Sequence, residues 1–258
     1  MKAVTLMYHD VCDDPETSGF PGGDADLYKV SLAQFNAHLG VMDNLSSSKP
    51  ISVEKWEQSD RNIPIFLTFD DGGKSAIKAA DILDERGWIG HFFITTGRIG
   101  SSGFVDKADI AELDRRGHVI GSHSNSHPLR MGALSKPEIQ KEWQQSVGIL
   151  SDILSKQIRT ASVPGGFFSA VVRDEAFAAG IRFLFNSEPS IRVSARRENV
   201  VLGRYSVTAG MSERDVAGLI TGSDMSRIKQ SLIWSIKKPI KKIGGESFLK
   251  IRKAIMDR

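Results

Sequence analysis

The sequence predicts an α/β protein in which strands and helices alternate along a single domain. Short apolar runs alternate with amphipathic segments, which is typical of repeated β/α units. Gly87, Gly117 and Gly180 each follow an amphipathic segment, where a helix commonly ends on a left-handed residue. The composition, with 40% hydrophobic and 25% charged residues, provides for a sizeable core.

The predicted elements follow one another from the first residues onward. Strands are predicted at residues 3–8, 63–69, 89–95, 119–121, 160–163, 183–186 and 200–207. Helices are predicted at residues 32–45, 74–86, 107–116, 136–154, 170–179 and 213–219. The fourth helix has a clear start, because Ser135 and Glu138 have the spacing of a capping box. Residues 11–28, rich in Asp, Gly and Pro, are predicted to form a long loop after the first strand.

We expect one domain over residues 1–222 and a basic tail over residues 223–258. Lysine and arginine are frequent in residues 226–258, where apolar side chains are interleaved with them. This pattern predicts short amphipathic helices, broken at Pro239 and at the pair Gly244-Gly245. Such helices either lie on an anionic membrane surface or dock their apolar stripe on the domain, and the sequence leaves both open.

Composition also excludes several classes of protein. The single cysteine, Cys12, cannot form an intrachain disulfide. We expect no signal peptide, and no run approaches the ~18 apolar residues of a membrane span. The net charge of +3 is concentrated in the tail without a nucleic-acid-binding motif, so no nucleic acid partner is expected. We therefore expect a cytoplasmic protein, with peripheral contact at the inner membrane face through the tail as the alternative.

Two adjacent carboxylates, Asp70 and Asp71, end the second predicted strand and are followed by two glycines. In parallel β/α folds the ligand site lies at the carboxyl ends of the strands. Two carboxylates so close repel each other, and burial makes the pair costlier, so a bound cation would offset that cost. Taken alone, the motif fits a surface Asp-Asp-Gly turn better.

A second cluster, His123 and His127, follows the fourth predicted strand. One helical turn would place both imidazoles on the same face, which suits two nitrogens on one divalent ion. A histidine pair at this spacing is more often accidental. Combined with the aspartates at another strand end, however, it supplies two nitrogens and one oxygen, the ligand set of a catalytic zinc-type site with an open position.

Residues 68–72 (Thr-Phe-Asp-Asp-Gly) and 123–127 (His-Ser-Asn-Ser-His) resemble the first two motifs of the polysaccharide deacetylases, carbohydrate esterases with a NodB homology domain. The runs at residues 90–94 and 117–121 resemble strands of the same family, and the similarity covers roughly residues 3–210. The resemblance implies an α/β fold of the NodB-homology type, a deformed (β/α)7 barrel.

The resemblance also implies roles for the residues that match these motifs. Asp70 would be the general base of an amide hydrolysis. A divalent metal ion, with zinc as the expected identity, would be bound by Asp71, His123 and His127.

Two family motifs depart from their usual pattern. The third places an arginine before a proline, but residues 160–166 keep Pro164 and the glycines without the arginine. The last contributes a histidine as general acid, yet no histidine follows residue 127. The run that ends in Tyr8 and His9 resembles this motif moved to the N-terminus, as in circularly permuted members, which implies that His9 is the general acid. The alternative is a histidine buried against Tyr8 and Asp10.

Candidate substrate contacts lie near these departures. They are Pro164, Gly165, Phe167 and Arg204. Phe167 would either form a sugar-stacking wall or pack in the core. Arg204, at the end of a late strand, would either orient the base in place of the missing arginine or form a structural salt bridge.

The function implied by the resemblance is metal-dependent removal of N-acetyl groups from an N-acetylated sugar or glycan. One alternative is a hydrolase of the same fold that acts on a small non-sugar amide, which the permutation and the missing arginine leave open. Another is a catalytically dead carbohydrate-binding module, against which the intact aspartates and histidines argue. An open groove with aromatic walls would indicate a glycan, and a closed pocket a small molecule. The sequence predicts no oligomeric state.

Overall fold

The computed structural model describes residues 1–45, 49–56, 62–223 and 225–243. The strands are β1 (Val4–Tyr8), β2 (Asp10–Val11), β3 (Lys29–Val30), β4 (Ile65–Phe69), β5 (Gly90–Ile94), β6 (Val119–Ser122), β7 (Thr160–Ser162), β8 (Phe183–Phe185), β9 (Ser194–Arg196), β10 (Asn199–Leu202) and β11 (Tyr205–Ser206). The helices are α1 (Gly23–Asp26), α2 (Leu32–Leu45), α3 (Ala76–Asp84), α4 (Lys107–Arg115), α5 (Lys136–Leu154), α6 (Ala170–Ala178), α7 (Glu213–Thr221) and α8 (Ser226–Ile243).

Most predicted elements agree with these bounds to within two residues, and the helices at 32–45 and 136–154 agree at both ends. Nine strands form one mixed sheet that curls into an incomplete barrel, in the order β11-β1-β4-β5-β6-β7-β8-β10-β9. Every pair is parallel except β10 with β9, and β2 and β3 form a separate parallel pair. The deformed β/α barrel is therefore confirmed, and the carboxyl ends of its parallel strands share one edge.

Gly203 and Arg204 connect two strands that lie near opposite ends of the curled sheet. β10 pairs with β8 and β11 pairs with β1, and only these two residues separate β10 from β11. Glycine is needed at position 203, because a Cβ there would lie 2.4 Å from the carbonyl oxygen of Glu188. The single strand predicted over residues 200–207 is therefore wrong: two short strands flank a tight backbone approach.

Side chains of the central strands alternate between the helix layer and the inside of the barrel. On β4, Leu67 and Phe69 belong to the main core beneath the helices, whereas Phe66 belongs to a second apolar cluster. Thr68 and Asp70 continue the series that starts at Phe66. The alternation thus directs the Asp70 carboxylate to the inside of the barrel.

The tail begins with one long helix. α8 runs from Ser226 to Ile243, so the break predicted at Pro239 is wrong, while Gly244 and Gly245 lie outside the described residues. A proline removes its own N–H and disturbs one turn, which bends or weakens a helix without always ending it. Among the helices described, none is long and apolar enough to cross a membrane.

Candidate active site

The candidate catalytic side chains meet at the carboxyl edge of the sheet, where ligand sites of β/α barrels lie. Asp70 and Asp71 follow β4, His123 follows β6, and His9 follows β1. Together with His127 these side chains line one cavity. Residues that are far apart in the chain are therefore neighbours in the fold.

Asp71, His123 and His127 form a compact cluster. Oδ1 of Asp71 lies 3.3 Å from Nε2 of His123 and 3.3 Å from Nε2 of His127. One ligand atom from each residue lies within 4.8 Å of the other two. Ligand atoms about 2.0–2.2 Å from a tetrahedral zinc ion are about 3.3–3.6 Å from one another, so the two short separations fit such an ion.

The electrostatics of Asp71 also fit a cation. Burial would raise the pKa of Asp71, but its contacts with His123 and His127 hold that pKa well below the ordinary value. Its Oδ1 is buried and has no hydrogen-bond partner in the described part of the chain. A buried oxygen of an ionised carboxylate is costly without a hydrogen bond, and a divalent ion bound to Oδ1 would offset that cost. Two nitrogens and one oxygen also leave a coordination position open.

The backbone is left-handed at three residues that build this cluster. φ is 74° at Asp71, 63° at Ser124 and 55° at His127. Such conformations cost about 1–3 kcal/mol each in residues with a side chain and are concentrated at functional sites. The helical turn predicted between the histidines is wrong, because residues 123–127 form an irregular loop. The left-handed residues bring the two imidazoles together instead.

α5 holds this histidine loop in place. Oε2 of Glu142 accepts the N–H groups of Asn125 and Ser126 at 2.9 and 2.8 Å, and Oε1 accepts the Ser126 hydroxyl at 2.6 Å. Oγ of Ser124 accepts the N–H of His127 at 3.1 Å. These bonds satisfy backbone donors that an irregular loop would otherwise leave unpaired.

Asp70 lies beside the cluster but forms a separate pair with Arg204. Nη1 and Nη2 of Arg204 donate to Oδ1 and Oδ2 of Asp70 at 2.6 and 2.8 Å. Burial would raise the pKa of Asp70, but Arg204 and His123 hold it below the ordinary value. The geometry therefore shows that Arg204 holds the Asp70 carboxylate in one orientation through a buried salt bridge. Its grouping with substrate contacts was wrong, because the side chain is 0% exposed and does not line the cavity.

Ser162, which was not among the residues predicted from the sequence, links Asp70 to the cluster. Its hydroxyl lies 3.1 Å from Oδ1 of Asp70 and 2.5 Å from Nδ1 of His123. An ionised carboxylate only accepts, so the hydroxyl proton points to Asp70 and Oγ accepts from Nδ1–H of His123. This arrangement selects the tautomer whose Nε2 lone pair faces Asp71. The signal available in the sequence was its position two residues before Pro164, where the missing arginine was sought.

His9 leaves the sheet beside the base. The N–H of Asp70 donates to the carbonyl of Tyr8 at 3.1 Å, so His9 and Asp70 follow neighbouring strand ends. The ring of His9 lies 4.6 Å from that of Tyr28, and within the described residues its buried Nδ1 has no hydrogen-bond partner. His9 lines the cavity, so the alternative of a histidine packed away against its chain neighbours does not describe its position.

Comparison with known proteins agrees with this geometry. Residues 57–184 match the family model described as polysaccharide deacetylase. A polysaccharide deacetylase from Bacillus cereus superimposes with a TM-score of 0.72 at 21% identity, covering 86% of this chain and 69% of that one. The chain belongs to the polysaccharide deacetylase family.

Further solved structures share the family fold. The deacetylase PplD of Streptococcus pyogenes, in complex with acetate, gives a TM-score of 0.69 at 20% identity over 83% of this chain and 96% of that one. A de-N-acetylase from Aggregatibacter actinomycetemcomitans gives 0.68 at 16% identity over 82% and 97%. An uncharacterised 30.6 kDa protein of Geobacillus stearothermophilus is 25% identical over 126 residues, 44% of this chain and 46% of that protein. The match thus spans about half the length of this curated relative.

In this member of the family the site opens into a cavity of about 930 Å³. Ligand clefts typically measure about 300–1,000 Å³, so the volume is ample for more than a single acetamido group. Gly165 lines the cavity, as do the aromatic side chains of Phe20, Tyr28, Phe167 and Trp234. Pro164 does not, because it is buried within the 3₁₀ turn Pro164–Gly166. Its assignment as a substrate contact was therefore wrong, whereas Gly165 and Phe167 lie where a substrate would contact them.

Parts of the cavity wall come from segments that the sequence analysis kept apart from the site. Phe20 and Tyr28 belong to the loop predicted at residues 11–28, and the Phe20 ring lies 4.9 Å from that of His127. Trp234 belongs to α8, in the predicted tail. The tail is thus part of the cavity rim. Aromatic residues in a Gly- and Pro-rich loop that follows the first strand were the available signal for the first two.

Proposed function

We propose that this protein hydrolyses the N-acetyl amide of an N-acetylated sugar or glycan and requires a divalent metal ion, with zinc as the expected identity. One observation carries the proposal: an ionised carboxylate lies beside the candidate ligands without being one of them. Oδ2 of Asp70 is 3.9 Å from Nε2 of His123, and its partner is Arg204. Hydrolysis needs such a base next to an open metal site, whereas a structural metal site is closed by its ligands.

In this proposal Asp70 accepts the proton of the attacking water. A divalent ion held by Asp71, His123 and His127 would supply a Lewis acid that polarises the amide carbonyl and lowers the pKa of water. Within the described residues Oδ2 of Asp70 accepts one hydrogen bond, from Arg204, and so keeps a lone pair for that proton. The bidentate salt bridge holds the carboxylate in one orientation while the proton is transferred.

In this proposal His9 protonates the leaving nitrogen. An amide nitrogen departs poorly as an anion, so a proton donor on the leaving side speeds the cleavage by about 100-fold to 10,000-fold. The imidazole lines the same cavity as Asp70, and no other described residue accepts or donates at its Nδ1. Base and acid thereby come from separate strand ends.

The cavity supports a saccharide more than a small amide as the substrate. Its volume of about 930 Å³ is far greater than an acetamido group requires, and its aromatic walls suit the apolar faces of sugar rings. The solved structures of similar fold include a deacetylase in complex with acetate and a de-N-acetylase. The similarity to these two proteins supports hydrolytic removal of an N-acetyl group as the reaction.

The test is acetate release from a panel of N-acetylated oligosaccharides and small non-sugar amides, with metal-free protein and with protein reloaded with zinc. We expect release from saccharides that depends on the metal. Turnover of the small amides alone would favour the non-sugar hydrolase. Saccharide binding by the loaded protein without any acetate release would favour a binding module.

A further inference from the structure

α8 packs on the barrel with its polar face. Nε and Nη2 of Arg227 donate to the carbonyls of Leu219 and Ile220 at 2.8 and 2.6 Å. Gln230 exchanges two hydrogen bonds with the backbone of Ser206, at 3.1 and 2.8 Å. This end of the helix is therefore fixed in one orientation relative to the barrel.

The opposite face of the same helix is apolar and exposed. We define the outer stripe as Met225, which directly precedes the helix, together with Ile228, Leu232 and Ile236 of α8; their exposed fractions are 64%, 49%, 58% and 60%. The three members within α8 are four residues apart, so at 3.6 residues per turn they form a single row along the helix.

This orientation is the reverse of that in most surface helices, which turn their apolar stripe toward the core. Exposed apolar side chains are common singly, but several in one row mark a surface that binds a protein or a membrane. The polar contacts of Arg227 and Gln230 prevent the helix from rotating to bury the outer stripe. The described residues therefore leave the stripe exposed, and an occupant from outside the barrel would cover it.

The charge of the chain identifies the kind of occupant. Residues 226–258 contain ten of the 34 basic residues and two of the 31 acidic ones. This segment thus carries a formal charge of +8, and residues 1–225 carry −5, since the whole chain carries +3. A strongly basic segment whose sequence includes an apolar helical stripe suits anionic lipid headgroups above an acyl layer.

We infer that the outer stripe of α8 docks on an anionic lipid surface. Self-association is a poorer fit, because a symmetric dimer through this stripe would bring two strongly basic segments together. The inner side of α8 bears Lys229, Ile233 and Trp234, which line the cavity. A helix with its side chains is only about 10–12 Å across, so docking holds the cavity mouth close to the lipid surface. The vesicle binding that this inference predicts does not depend on the proposed hydrolysis.

Co-sedimentation of the full-length protein with vesicles tests the inference. We compare phosphatidylcholine vesicles with vesicles that also contain phosphatidylglycerol, at low and at high salt. The variant is Ile228→Ser with Leu232→Ser, and the matched control is Leu45→Ser with Ile149→Ser, two exposed apolar residues on other helices. The expected result is binding to anionic vesicles that salt weakens, ~10-fold or more weaker in the stripe variant and unchanged in the control.

Several results would overturn the inference. Equal vesicle binding by the stripe variant and the wild type would show that the outer stripe does not bind the lipid surface. Equal binding to neutral and anionic vesicles would show that the basic charge does not contribute. A wild-type dimer that becomes monomeric in the stripe variant would assign the stripe to a second copy of the chain. A lower melting temperature for the stripe variant than for the control would show that the chain itself covers the stripe. Acetate release from a soluble substrate, measured alongside, reports separately on the proposed function and is expected to be equal in all three proteins.

Discussion

Replacing Arg204 by methionine removes the positive partner of a buried carboxylate and gives the sharpest stability prediction. Asp70 is 4% exposed, so after this replacement its charge would have neither solvent nor a cationic side chain paired with it. Breaking a buried ion pair on one side costs about 3–5 kcal/mol. In a domain of this size each kcal/mol lowers the melting temperature by about 2–4 °C, so we expect a fall of about 6–20 °C near neutral pH.

The cost should depend on pH with a defined sign. Burial raises the pKa of Asp70, and Arg204 together with His123 brings it below the ordinary value. The wild-type pair therefore stabilises the fold above the pKa of an unfolded aspartate, about 3.9, and this contribution is lost as pH falls through the folded pKa. Without Arg204 the burial effect prevails and the pKa rises. The stability difference between wild type and Arg204→Met should thus be large at neutral pH and shrink in acid.

Thermal unfolding followed by circular dichroism from about pH 4 to pH 8, with a chelator present, measures this difference. Arg214→Met is the matched control, because Arg214 is exposed and should change the free energy of unfolding by less than about 0.5 kcal/mol. The double variant Arg204→Met with Asp70→Asn should regain much of the loss, since it buries no charge. Equal stability of Arg204→Met and wild type at neutral pH, a pH-independent difference, or a double variant no better than Arg204→Met would each refute the reasoning.

Four further substitutions test the site itself. His127→Ala should lose the bound metal ion, whereas His9→Ala should retain it and lower kcat by ~100-fold or more. Metal analysis and acetate release, measured on both variants, distinguish these two effects. Unchanged turnover by His9→Ala would remove His9 from the mechanism. Ser162→Ala removes the hydroxyl that fixes the tautomer of His123, a proposed metal ligand. It should weaken metal affinity about 10-fold to 100-fold in a chelator competition, and equal affinity would contradict that role. Trp234→Ala should raise KM for an oligosaccharide with kcat nearly unchanged. A KM equal to that of the wild type would show that Trp234 of α8 does not contribute to substrate binding.

The chemistry of the cluster could be predicted from the sequence because its signals are local. Asp70 and Asp71 are adjacent, and His123 and His127 share one short loop, so each pair is visible as a motif at a predicted strand end. The manner of convergence was not visible. The left-handed backbone at Asp71 and His127 depends on contacts of the folded loops, and helical spacing predicted the wrong local structure.

The base-orienting pair was harder to predict because its members are 134 positions apart in the chain. Arg204 could be predicted only as a candidate, since its contact with Asp70 depends on the connection between β10 and β11, which pair with β8 and β1. Ser162 carried no signal as a residue type, because serine is common in loops and at strand ends. Its function arises from lying between Asp70 and His123 once β6 and β7 pair.

The tail shows why a composition pattern left two alternatives open. The periodicity of α8 indicates an amphipathic helix but does not say which face meets the barrel. In the structure the face with Arg227 and Gln230 does so, and apolar Leu232 remains exposed. That choice depends on where the carbonyls of α7 and the edge of β11 lie, which no local pattern in the tail encodes.

The most direct test of the proposed mechanism is acetate release by wild type and Asp70→Asn at equal measured metal content. The substituted amide keeps the shape of the side chain but cannot take a proton from water, while the metal cluster is left intact. We expect the wild type to release acetate from an N-acetylated oligosaccharide and the variant to be slower by ~100-fold to 10,000-fold. A fully loaded variant that turns over as fast as the wild type, or a fully loaded wild type that releases no acetate, would contradict the proposal.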